Sequence, residues 1–245
     1  MKGFFSVDGP LYRFVETFWS LIKLNFCWLV TGAPLIVAGF LCASFSQLLA
    51  IILTLIGAGF LGVSTVTAFY VLQKMVDNRE GYIFKMFFRE WKKNLKVGYP
   101  MGFINAFAIW AIFMDFQLYN AIADPDNKIK YFFLAGGIIL SIVGYFTFVY
   151  AYPLAGRYDN TWFACIKNSS RIVSRYFGRT MLMTLVIAFE IAIFIWNQFL
   201  MVIGALIAPV TVMYTISGMS MYMFREIEKG INSGDDGKVN MSATN

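Results

Sequence analysis

No histidine occurs in the 245 residues. A Ser-His-Asp arrangement, a His-ligated zinc and a His proton relay are therefore excluded. Cysteine is nearly as scarce: Cys27, Cys42 and Cys165 have no paired spacing, so neither a disulfide framework nor a thiolate metal site is expected. The phosphate-cradling pattern GxxxxGK[ST] is also missing, which removes ATP hydrolysis by that route. The chain reads as a non-enzyme without cofactor or metal. Charge is the next shortage, at 14% of residues against about 25% in soluble domains.

What fills the space is oil. Hydrophobic residues make up 59% and aromatics 18% of the chain, and the mean hydropathy is +0.65. The expected fold class is all-α, a polytopic membrane protein. Its apolar stretches divide into six spans of about twenty residues, the length that crosses roughly 30 Å of hydrocarbon. They fall at 24–45, 48–72, 97–118, 131–154, 180–199 and 200–224. Only Ser46 and Gln47 part the first two, and a break near Asn197 and Gln198 parts the last two, so both pairs read as tight hairpins. With the N-terminus inside, the single-domain reading of residues 1–229 leaves only Lys128 and Lys130 of the 20 Lys and Arg on the outer side. That bias places both termini in the cytoplasm.

The excess of six positive charges is therefore a mark of sidedness rather than of nucleic-acid binding. In the run FREWKKNLKVG, residues 88–98, the helical period puts Phe84, Phe87, Phe88, Trp91 and Leu95 on one arc. Lys85, Arg89, Lys92, Lys93 and Lys96 lie on a neighbouring arc. The pattern predicts an amphipathic helix in the inner interface, its rings at headgroup level and its amines toward anionic lipid, at about 1 kcal/mol per cation. A docking surface for a protein partner is the alternative. The design recurs where Trp162, Ile166, Val173 and Phe177 oppose Lys167, Arg171, Arg175 and Arg179. It recurs again where Leu11, Phe14, Val15, Phe18 and Ile22 oppose Arg13, Glu16, Ser20 and Lys23. Span, basic helix, span thus occurs twice, at 48–118 and 131–199, an internal duplication with poor residue identity.

Twenty-three residues with their own pattern precede the first apolar run, which Pro34 interrupts. It reads as a retained, kinked span rather than a cleaved signal. Residues 230–245, rich in Gly, Ser, Asn and Asp, read as a disordered cytoplasmic tail. The glycines of IGAGFLG, residues 56–62, are spaced for close helix contact. Glu190 is the one ionisable residue expected near mid-membrane, where an acid costs roughly 2.5–3.5 kcal/mol on insertion scales. It is expected to be protonated, hydrogen-bonded to a group such as Asn105, Tyr145 or Tyr214, or facing a wet cavity. Asp115 lies near the outer end of the third span, where water is close.

The segment LNFCWLVTGAPLIVAGFLCAS, residues 24–44, resembles the Leu-Asn, Trp, Pro and Gly pattern that opens members of the YesL family of bacterial integral membrane proteins. The segment KMFFREWKKNLKVG, residues 85–98, resembles that family's Phe-rich, Lys-Asn segment. Ala33 and Ala38 depart from its usual small or branched residues. The family has no established function, and no site residues carry over. Its members are commonly encoded beside sugar ABC importers and enzymes that degrade complex carbohydrate. The resemblance implies an accessory protein of oligosaccharide import, with importer subunits as partners. The alternative is a small secondary transporter or channel with Glu190 on the path and Pro34 and Pro209 breaking two spans. An ABC permease is disfavoured, because residues 159–179 lack the EAA...G coupling signature.

Overall fold

A computed structural model describes residues 10–232 except 80, 123, 125 and 126. Most of the tail predicted at 230–245 therefore lies outside the described residues. Nine helices follow one another among those described: α1 Pro10–Gly32, α2 Pro34–Cys42, α3 Gln47–Val76, α4 Ile83–Lys93, α5 Leu95–Ala121, α6 Lys128–Arg157, α7 Trp162–Arg175, α8 Phe177–Ile195 and α9 Gln198–Asn232. No strand accompanies them among the described residues.

Local signals set several boundaries. Ser46, Asn127 and Thr161 cap α3, α6 and α7, each side-chain oxygen accepting from a first-turn amide. Asn197 Oδ1 accepts from the Phe199 amide at 3.0 Å where α9 begins. Past the end of α3, Asn78 adopts φ 52°, a left-handed conformation that Asn tolerates better than most residues. Pro34 opens α2, and α1 and α2 meet at a 47° bend. The kink expected at Pro34 is thus present. Pro209 behaves otherwise: α9 runs through it unbroken.

Among the described residues, five helices are long and apolar enough to cross a membrane, and the bent α1–α2 pair makes a sixth if taken as one span. The architecture is that of a polytopic helical protein. Helix ends differ from the predicted spans. Residues 11–23 are not a separate interfacial helix but the first half of α1, which runs unbroken to Gly32. Nothing between Lys23 and Leu24 stops a helix, since both are good helix formers. Phe14, Val15 and Phe18 of the predicted stripe point outward, while Leu21, Leu24, Asn25 and Cys27 face the core.

At 30 residues each, α3 and α6 reach about 45 Å, more than the hydrocarbon alone requires. Packing is densest at one end of these two helices. The buried residues of α3 lie between Gly57 and Met75, and those of α6, apart from Gly137, between Val149 and Gly156. At the opposite end Phe45, Leu48, Phe132, Trp196 and Phe199 are exposed, the surface expected of a lipid-facing bundle.

The predicted glycine contacts are present. An added Cβ at Gly62 would stand 2.4 Å from the Gly98 carbonyl oxygen and 2.5 Å from Gly102 Cα. So α3 and α5 cross backbone to backbone, as small residues permit in membranes. The element order α3–α4–α5 recurs as α6–α7–α8, yet the packing does not. The backbones of α6 and α8 stay apart, bridged by Tyr145 to Thr184 and Tyr150 to Thr180, each pair of hydroxyls 3.0 Å apart.

Candidate functional site

The basic run forms α4 and the first turn of α5, and its apolar arc is not free for lipid. Phe87 is wholly buried and Ile83 and Met86 nearly so, covered by α1 and α3. Trp91 Nε1 donates to Ser64 Oγ at 3.1 Å, and its ring stacks on Phe60 with 5.8 Å between centroids. Of the rings expected at headgroup level, Phe88 alone is well exposed. The helical period holds, but what the apolar arc meets is protein, because α1 and α3 cover it. Beneath the cations sits Glu90, buried, accepting from Arg89 Nε at 2.8 Å and from Lys93 Nζ at 3.1 Å.

In α7 the buried face is Cys165, Asn168, Ser169, Ile172 and Val173. Of the predicted arc only Val173 is buried, while Ile166 packs against the core and Trp162 and Phe177 are exposed. The arc was displaced because small Ser169 and Cys165 and polar Asn168 pack inward, which an apolar count does not register. Burial pushes the Cys165 thiol up to about 12, so it stays protonated and unsuited to nucleophilic or metal chemistry.

Three hollows open at this basic end, with volumes of about 700, 190 and 410 Å³. Tyr70 and Lys74, one turn apart on α3, line all three. The largest collects Lys74, Arg89, Lys93, Lys96 and Arg157 against the acids Glu90 and Asp159. Lys74 Nζ lies 5.4 Å from the centre of the Tyr70 ring. Asn160 also lines the largest hollow, and its Nδ2 is buried without a hydrogen-bond partner.

A polar clasp forms one wall. Arg157 donates through Nε to Glu228 Oε1 at 2.9 Å and through Nη2 to Oε2 at 3.2 Å. Tyr158 Oη donates to Glu228 Oε1 at 2.6 Å. Arg157 also stands 3.7 Å from Asp77, which Arg225 pairs with from α9. Gln73 Nε2 donates to the Pro153 carbonyl at 2.8 Å. The ends of α3, α6 and α9 are thus tied together. Burial, then the bond to Glu228, raises the Tyr158 phenol above its ordinary value, so it remains a donor at neutral pH.

Of the residues singled out in the sequence, Arg89, Lys93 and Lys96 line the largest hollow and Lys85 the 410 Å³ one. Lys92, Lys167, Arg171 and Arg175 are exposed and line none of the three. Glu190 accepts from Thr215 Oγ1 at 2.9 Å across α8 and α9, rather than from Asn105, Tyr145 or Tyr214. Asn105 instead donates to Tyr152 Oη at 3.3 Å on the wall of an apolar crevice of about 390 Å³. The backbones of α5 and α8 stay apart, and Asn105 and Glu190 bond to different partners, Tyr152 and Thr215. Tyr70, Lys74, Arg157, Tyr158, Asn160 and Glu228 were missed as site residues. The available signal was acids, Asp77, Asp159 and Glu228, beside span ends on an otherwise basic side.

Residues 21–116 match a family model described as a protein of unknown function, DUF624. It is the family to which YesL belongs, so the resemblance stands. No match was found among curated proteins or solved structures.

Proposed function

From a chain whose residues 21–116 fall in the DUF624 family, we propose a non-enzymatic accessory protein of the bacterial cytoplasmic membrane. It crosses six times with both termini inside and presents the basic end as its working face, with the outer cations of α4 and α7 at the inner interface. The role is to assist oligosaccharide import through an ABC importer, or the use of complex carbohydrate. The single observation behind the working face is the gathering of the hollows, the clasp and the densest packing at one end. The importer comes from the family resemblance alone. Purification in mild detergent from the native host should recover importer subunits with the protein. A clean monomer that binds a small solute would overturn the reading in favour of transport.

The transporter alternative is less well supported. Its two intramembrane polar residues, Asn105 and Glu190, are engaged by different partners, and Pro209 leaves α9 unbroken. Glu190 has a partner within the bundle. Glu190→Gln keeps the shape and can still accept from Thr215, so stability should change by less than about 1 kcal/mol and growth on the cognate saccharide should persist. Normal purification with lost growth would assign the carboxylate to a translocation path.

A further inference from the structure

We propose that the largest basic hollow is a binding site for a phosphate-type anion, supplied either by an anionic lipid headgroup or by a soluble phosphate compound. The inference rests on reading the basic end as the working face, but not on the import pathway. Its volume of about 700 Å³ is that of a small-ligand site. Five cationic side chains line it against two acids. Glu90 is already engaged by Arg89 and Lys93, and Arg157 by Glu228. Lys74 and Lys96 have no carboxylate within pairing distance among the described residues. They are the two cations left for an incoming anion.

A second, independent feature is Asn160. Its Nδ2 is shielded from solvent on this wall and has no acceptor, and an unmet buried donor is costly unless something accepts from it. Two amines and an amide N–H around one space suit a compact anion with several acceptor oxygens, which is what a phosphate group offers. Lys74, over the Tyr70 ring, lines all three hollows.

The test uses the full-length protein in neutral detergent. Its thermal midpoint is followed against phosphatidylglycerol with phosphatidylcholine as control, and against potassium phosphate with potassium chloride at equal ionic strength. Stabilisation by phosphatidylglycerol alone identifies a headgroup, stabilisation by phosphate alone a soluble compound, and either supports the site. Lys74→Gln/Lys96→Gln should raise the half-saturating concentration roughly 30-fold, which corresponds to about 2 kcal/mol. Lys128→Gln/Lys130→Gln removes the same charge from the start of α6, away from the hollow, and should leave that concentration within about threefold. Equal loss in both variants, or no stabilisation in either arm of the wild type, would overturn the proposal. Should the first variant fail to fold, Asn160→Asp, nearly isosteric, is expected to abolish the effect, and undiminished stabilisation would overturn it. Recovery of importer subunits without anion binding would sink this inference alone, and the reverse would sink the import reading alone.

Discussion

Gly62→Ala is expected to lower the stability of the detergent-solubilised protein by about 3 kcal/mol, the upper range for overpacking. The added methyl would lie 2.4 Å from the Gly98 carbonyl oxygen, 2.5 Å from Gly102 Cα and 2.6 Å from its amide nitrogen. All three are backbone atoms, so relief requires α3 and α5 to separate rather than a side chain to turn. That separation would also disturb Trp91 and Asn94, which reach α3 at Ser64 and Thr67 from the junction of α4 and α5. Gly144→Ala and Gly218→Ala provide the comparison, because an added Cβ there meets nothing within 4 Å. They should be neutral or stabilising by up to about 1 kcal/mol through helix propensity. Unfolding midpoints of the three variants check the claim, and equal midpoints would contradict the close crossing.

Arg157→Ala should cost about 2–3 kcal/mol, somewhat less than the loss from breaking a fully buried pair. The guanidinium holds Glu228 through two bonds and approaches Asp77, and its own side chain is only 19% exposed. Without it, two carboxylates at the ends of α3 and α9 lose a shared partner while Tyr158 still donates to Glu228. Arg157→Lys should recover little, since one ammonium cannot reproduce a two-pronged contact. Arg157→Ala/Glu228→Ala should be more stable than the sum of the single losses predicts, because the second change removes the stranded charge. Additive losses in chemical unfolding would show that the clasp is not a coupled unit.

The long helices were legible because bilayer thickness imposes a minimum length on an apolar run, and the hairpin breaks at Ser46 and Asn197 were legible because caps are local. The glycine crossing could be read too, since lost volume at regular spacing has few other uses in a helix. Three things were not. Period alone cannot say whether an apolar arc faces lipid or protein, so Trp91 was expected among headgroups and lies instead against Phe60 and Ser64. The continuity of α1 was hidden because a change from amphipathic to apolar pattern resembles a boundary although no residue there breaks a helix. The basin itself joins Lys74 of α3, Lys93 of α4, Lys96 of α5 and Arg157 of α6 with Asn160. That convergence belongs to the tertiary fold, as does the choice of Thr215 as a partner for Glu190.

The proposed cytoplasmic position of the basic end has a direct topological test. Single cysteines at Asn197 and Lys92, both exposed, can be introduced into a protein whose Cys27, Cys42 and Cys165 have been replaced, and probed in intact cells with a membrane-impermeant thiol reagent. The Asn197→Cys protein should be labelled from outside, and the Lys92→Cys protein only after the membrane is opened. Labelling at Lys92 in intact cells would contradict the cytoplasmic position.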